Sequence, residues 1–164
     1  MSKSESETSR PEDQAGSRQW GPELDEIEQR RTIAKELGGA DAIARQHSLG
    51  KMTARERIDF LLDEGSFREF GALTGKVAYS PEGTRESFVP SNTVVGLGRI
   101  DQRKVCISAD DFTIRGGSSE STNSDKWIYI ERFANETKTP LVRLVDTAGG
   151  SVKLLDQQQA TKIP

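Results

Sequence analysis

The residues best suited to do chemistry in this sequence are Asp146-Thr147-Ala148-Gly149-Gly150-Ser151. They follow a buried-strand pattern, Leu141-Val142-Arg143-Leu144-Val145. They precede an apolar pattern that resumes at Val152, Leu154 and Leu155 in Gln- and Ala-rich, helix-favouring sequence. Strand, glycine turn and helix in that order leave the first helical amides without intrahelical partners at the positive end of the helix dipole. Glycine lets a ligand approach such a backbone closely. The turn can hold a phosphate, a carboxylate or the developing oxyanion of a thioester carbonyl, and residue types alone leave that choice open. A second glycine pair, Gly116-Gly117 followed by Ser118, closes a strand pattern that starts at Asp110.

The other reactive side chains read as structure. Cys106 falls inside a strand pattern, and the only histidine, His47, belongs to the helical N-terminal part, so the thiol is expected to be buried filler. His47 reads as a helix-end residue, and no Ser-His-Asp set assembles around it. Asp110 and Asp111 alternate in face and lack further ligands, so no metal is expected. One cysteine excludes an internal disulfide and a zinc site of several thiolates within this chain. Lys51, Arg55 and Arg57 read as a solvated helix face, with a phosphate-binding cluster as the alternative.

These residues need a scaffold, and the composition limits what it can be. Of 164 residues, 33% are hydrophobic and 30% charged, which is polar for a globular chain and implies an unfolded or solvated part. A net charge of −3 gives no footprint for nucleic acid, and no apolar run is long enough to cross a bilayer. Residues 1–20 are almost free of apolar side chains and are expected to form a disordered tail. Glu5, Glu7, Glu12 and Asp13 argue against a transit peptide, so a cytoplasmic location is expected, with the mitochondrial matrix as the alternative in a eukaryotic source.

Residues 21–66 form a helical segment in this reading. Leu24, Ile27, Ala34 and Leu37 make the stripe of a first helix, Asp41 to His47 a second, and Thr53-Ala54-Arg55-Glu56 the capping box of a third, followed by Ile58, Leu61 and Leu62. Residues 67–164 turn to α/β. Phe67 to Phe70 predicts a short strand, Gly75 to Ser91 a surface loop, and Val94 to Ile100 with Lys104 to Ser108 a hairpin turning at Asp101-Gln102-Arg103. A helix capped by Ser124 or Asp125 is expected from Asp125 to Thr137, with Trp127, Ile130, Phe133 and Ala134 on one side.

Gly50 to Phe67, with Gly50-Lys51-Met52-Thr53-Ala54-Arg55-Glu56-Arg57-Ile58 at its head, resembles a segment of the carboxyltransferase (β) subunits of biotin-dependent acyl-CoA carboxylases, of the propionyl-CoA and methylcrotonyl-CoA type. Three later pieces agree in order. Val94 to Ala109 resembles the family's opening hairpin, Asp111 to Ser118 its Asp-x-Thr-Val-x-Gly-Gly-Ser stretch, and Pro140 to Gly150 its strand ending in Asp-Ser-Gly-Gly-Ala. The likeness is collinear from about Glu23 onward, and several motifs together are far more specific than one glycine pair.

The resemblance implies a crotonase-like fold of ββα units, here incomplete and preceded by the N-terminal helices. It implies transfer of a carboxyl group from carboxybiotin to the α-carbon of an acyl-CoA through a thioester enolate. The backbone donor to the thioester oxygen is then expected among Ala148, Gly149 and Gly150, with Gly116, Gly117 and Ser118 in the vicinity of the acyl-CoA. No metal is implied. Biotin would arrive on a partner chain, a biotin carboxylase or biotin carrier subunit, since the sequence has no Ala-Met-Lys-Met segment and no ATP-binding loop. Family carboxyltransferases are larger homo-oligomeric subunits with two such domains, so the sequence reads as an N-terminal fragment, expected to be inactive alone and to associate through an open apolar edge. The alternatives are another crotonase-like acyl-CoA enzyme, such as a biotin-dependent decarboxylase, and a non-catalytic piece that docks on a full-length subunit.

Overall fold

The computed structural model describes residues 20–118 and 121–150. All of the expected tail but Trp20, and the helix expected from Val152, lie outside these residues. In chain order the elements are α1 (Gly21–Lys35), α2 (Ala40–Ser48), α3 (Ala54–Leu61), β1 (Arg68–Phe70), β2 (Gly75–Tyr79), β3 (Arg85–Pro90), β4 (Thr93–Ile100), β5 (Arg103–Asp110), a 3-10 turn (Arg115–Gly117), α4 (Ser121–Thr137) and β6 (Leu141–Leu144). The main sheet has the order β1-β4-β5-β6. Its first three strands are antiparallel, and β6 returns through α4 to lie parallel to β5.

Strand alternation sorts the core into two layers. Val94 on β4 and Val105, Ile107 and Ala109 on β5 face α3, where Ala54, Ile58 and Leu62 meet them. Val95 and Cys106 point the other way, onto Ile130 and Ala134 of α4. Ile58, Ile107 and Ile130 are each at most 1% exposed, so each stabilises the fold by roughly 1.5–3 kcal/mol. Helix α3 begins as its sequence predicts: the Thr53 hydroxyl accepts the Glu56 N–H at 3.3 Å, and the Glu56 carboxylate accepts the Thr53 N–H at 2.7 Å. Both orphan donors are thereby satisfied.

Several elements depart from the sequence reading for local reasons. Residues 75–91 are not a loop: β2 and β3 pair as an antiparallel ribbon turning at Pro81 to Gly83, and Pro90 is tolerated because it ends a strand of a two-stranded sheet. The β4–β5 turn has two residues rather than three. Asp101 and Gln102 both take positive φ, and the Asp63 carboxylate accepts their amides at 3.0 and 2.8 Å. Helix α4 starts at Ser121, ahead of the expected caps. On α1 the stripe is only half right. Ala34 and Leu37 are buried, but Leu24 is exposed, and Arg30 turns inward to Glu26, Tyr79 and the Phe88 ring.

Lys126 on α4 is buried beside Glu69 of β1 and Arg55 of α3. Burial pushes its ammonium down to about 8, with Glu69 opposing and Arg55 adding to the shift. Between about pH 8 and the ordinary lysine value of 10.5 the unfolded chain holds the proton that the folded chain has released, so stability rises with pH across that window. Below it the buried charge costs stability. Lys126→Met is therefore expected to add roughly 2 kcal/mol at pH 7 and to flatten the rise above pH 8. Urea melts at pH 7 and 9.5 test this; a variant less stable at pH 7 with the rise intact would refute it.

Candidate active site

The two glycine turns predicted from the sequence are neighbours in space. Each follows one of the parallel strands β5 and β6, so both sit at the carboxyl end of the sheet, where open α/β sheets bind ligands. The chain does not continue as a strand through Asp111 to Ile114, contrary to the sequence pattern. Asp111 is fully buried, its N–H donates to the Asn92 carbonyl, and its carboxylate accepts both the Thr113 N–H at 3.0 Å and the Thr113 hydroxyl at 2.6 Å. This side-chain-to-backbone turn competes with the strand and wins. Burial pushes the Asp111 carboxyl upward against those two bonds.

After this bend Arg115, Gly116 and Gly117 all take positive φ, at 50°, 64° and 63°. The carbonyls of Gly116 and Gly117 turn toward the second loop, while that of Arg115 accepts the Ser118 N–H at 3.3 Å. Gly116 accepts the Ala148 N–H at 2.8 Å and Gly117 accepts the Thr147 hydroxyl at 2.8 Å. Thr147 Oγ1 in turn accepts the Gly149 N–H at 3.0 Å. A Cβ at Gly117 would overlap the carbonyl oxygen of Asp146 and lie 3.3 Å from Thr147 Cα. Glycine at 117 thus serves the closeness of the two loops. Ser118 is tied to the same frame, its carbonyl accepting Asn92 Nδ2 at 2.7 Å.

The expected donors Ala148, Gly149 and Gly150 are exposed at the outer side of this pair of loops. A Cβ at Gly149 or Gly150 would meet no atom within 4 Å among the described residues. Among the described residues, then, nothing occupies the space over Gly149 and Gly150. The Ala148 amide is engaged with Gly116, whereas the Gly149 amide rests on a hydroxyl that has its own anchor in the Gly117 carbonyl. An incoming oxygen can replace that hydroxyl as the acceptor without opening the contact between the loops.

The basic residues near α3 reach partners on other elements, and Lys51 among them stays half-exposed. Arg57 Nη1 donates to the Leu144 carbonyl at 3.1 Å and Nη2 to the Asp110 carbonyl, so one guanidinium ties together the last residues of β6 and β5. Arg55 forks onto Glu69 and reaches the Ala34 carbonyl at 3.0 Å. Lys51 Nζ lies 2.9 Å from Asp146 Oδ1 and 4.9 Å from the centre of the Phe112 ring. Gln46, which drew no notice in the sequence, is 3% exposed and donates to Asp146 Oδ2 at 2.8 Å. Asp110 is buried below the turn. Burial raises its carboxyl, opposed by the Asp146 amide, Arg143 and Arg57.

His47 and Cys106, set aside in the sequence, bond or pack elsewhere. His47 pairs with Glu56 at 2.9 Å, and Cys106 is fully buried, which pushes its thiol up and away from reactivity. No cluster of three or more His, Cys, Asp or Glu side chains fit for a metal occurs among the described residues, and no helix among them is long and apolar enough to cross a membrane.

Comparison with known proteins agrees with this layout. The family described as the carboxyl transferase domain matches residues 45–162. The carboxyltransferase subunit of propionyl-CoA carboxylase from Haloferax mediterranei is 40% identical over 131 residues, which cover 79% of this chain and 25% of that protein. Among solved structures, transcarboxylase 12S with methylmalonyl-coenzyme A and methylmalonic acid bound superposes with a TM-score of 0.70 at 33% identity, over 81% of this chain and 26% of the other. The β subunit of geranyl-CoA carboxylase from P. aeruginosa gives 0.62 at 26% identity, over 84% and 24%. The chain spans about a quarter of the length of the curated relatives it matches. The β4-β5-α4-β6 order is a ββα unit followed by its parallel strand, and the fold is the crotonase-like carboxyltransferase fold of these neighbours.

Proposed function

The chain belongs to the carboxyl transferase domain family, and from that membership we propose that it supplies the thioester-binding turn of a biotin-dependent acyl-CoA carboxyltransferase. The observation that carries this reading is the turn at Ala148 to Gly150. Gly149 and Gly150 are exposed, nothing among the described residues occupies the space a side chain would take there, and the turn is braced from behind by Gly116 and Gly117. Such a turn suits an oxygen that becomes negative only as the reaction proceeds. When the acyl-CoA loses its α-proton, charge moves onto the thioester oxygen, and an amide already held in place stabilises it without reorganising. The side chains nearest the turn are engaged with one another or with the loop at Gly117, Thr147 on the Gly117 carbonyl and Asp146 with Gln46 and Lys51, so the chain's part in this chemistry is assigned to the main chain.

Biotin, carried on a partner chain, supplies the carboxyl group in this scheme. Gly116, Gly117 and Ser118 support the turn and border the acyl-CoA. A biotin carrier or biotin carboxylase subunit and further copies of the carboxyltransferase are the proposed partners. The transcarboxylase 12S relative is itself described as a hexamer that binds substrate.

A chimera tests the proposal. Residues 45–162 replace the matching segment of transcarboxylase 12S, and the purified protein is given an acyl-CoA and free carboxybiotin. Carboxylated acyl-CoA is expected well above the rate without protein. A folded chimera that forms no product overturns the proposal.

A further inference from the structure

The Thr147 to Gly150 turn is held from two sides, and the loop at Gly116 and Gly117 is only one of them. The other is Asp146, the residue that enters the turn. Its carboxylate is gripped at both oxygens: Oδ2 by Gln46 Nε2 at 2.8 Å and Oδ1 by Lys51 Nζ at 2.9 Å. Both donors come from α2 and the link to α3, about a hundred residues earlier in the chain. Gln46 is itself fixed, buried at 3% exposure with its amide also donating to the Met52 carbonyl at 3.3 Å, and the Lys51 N–H donates to the Gln46 carbonyl at 3.2 Å. The two donors thus form one unit. Lys51 further lies over the ring of Phe112, in the segment that leads from β5 to Gly116, so it reaches both segments.

We infer that Gln46 and Lys51 are positioning residues for carboxyl transfer: by holding Asp146 they set where the amides of Ala148, Gly149 and Gly150 point. This rests on the proposed role of the turn. Neither side chain needs to touch substrate. A misplacement of about 1 Å in a preorganised donor can cost about a hundredfold in rate, which is the scale on which such a clamp acts. Burial alone would raise the Asp146 carboxyl, yet the Lys51 and Gln46 bonds hold it below the ordinary aspartate value, so the clamp stays ionised at neutral pH. Asp146 is the bridge through which α2 reaches the turn.

Amide hydrogen exchange in the full 164-residue chain tests the inference directly. Gln46→Glu sets a like charge against Asp146 with almost no change in shape, and Lys51→Met removes the cation from a half-exposed position where folding is not at stake. Both are expected to speed exchange at Ala148 and Gly149 at least tenfold while the Ile107 amide of β5 stays as protected as before. Lys51→Arg should restore protection. In the chimera the same two changes should lower kcat at least tenfold with little change in KM for the acyl-CoA. Unchanged exchange at Ala148 and Gly149 overturns the inference, as does a uniform loss of protection through β5, which would mark a purely structural role. Absence of carboxyl transfer in the unsubstituted chimera, with the exchange pattern as expected, would instead defeat the functional proposal and leave the clamp standing.

Discussion

Gly150→Val is expected to lower carboxyl transfer by roughly ten- to a thousandfold without disturbing the fold, the range for losing an oxyanion donor or blocking its ligand. Position 150 suits this test because two confounding effects are missing. A Cβ there meets nothing within 4 Å among the described residues, and the backbone is not in the left-handed region. With no clash among the described residues, a loss of activity in a folded variant is read as what the side chain excludes. Gly149→Val is a poorer test, since its φ of 98° adds backbone strain to the block. The measurement is kcat/KM for acyl-CoA in the chimera, beside a melting curve. Near-normal turnover in a folded Gly150→Val protein would show that the thioester does not lie over this turn.

The second large effect concerns stability. Gly117→Val is expected to cost roughly 3–5 kcal/mol, from a branched side chain at positive φ together with overlap of its Cβ with the Asp146 carbonyl. Backbone on both sides leaves nowhere for the strain to go. Gly116→Ala gives the contrast. Its φ of 64° is also left-handed, but a Cβ there would stand 3.4 Å from the Ala148 methyl, an ordinary contact, so a loss of roughly 1–2 kcal/mol is expected. Urea unfolding of the two variants decides it. Equal costs would mean that the closeness of the loops does not set the identity of residue 117.

What the sequence revealed and what it hid follow one division, between bonds made locally and bonds made at a distance. The capping box of Thr53 and Glu56 was legible because both partners lie within four residues, and the α3 face followed from the spacing of Ile58 and Leu62. The β4–β5 hairpin was legible from its alternation. The β2–β3 ribbon was not, because Pro81, Gly83 and Pro90 give the composition of a loop to strands that are only partly buried. Asp111 misled for the opposite reason. Its neighbours favour a strand, while its carboxylate folds the chain onto Thr113.

At the site the division is sharper. The glycine turns could be found, because glycine after a strand is a local signal. Their mutual contact through Gly117 and Thr147 spans 30 residues and left no mark in the sequence pattern. Lys51, Arg55 and Arg57 looked like a polar helix face because their partners, the Leu144 and Asp110 carbonyls, Glu69 and Asp146, belong to other elements. Gln46 had no signal of any kind, since one buried amide on a short helix resembles any other glutamine. Family resemblance pointed to the turn but could not show what holds it.

The bond from Gln46 to Asp146 also has a consequence for the order of events during synthesis. It closes a loop of a hundred residues, whereas the β4–β5 hairpin closes across a two-residue turn and can form as soon as Asp110 has emerged. At about 5–20 residues per second, roughly 5–20 s separate the appearance of Gln46 from that of Asp146 on the ribosome. Through that interval the anchors of the turn are an amide and an ammonium, groups that water solvates well, so α2 can wait without exposing a sticky surface at those two positions. The turn is therefore expected to be the last feature of this region to take shape, after both core layers on β5 have packed. A nascent chain stalled just before Asp146 leaves the ribosome would carry a formed β4–β5 hairpin and no formed site.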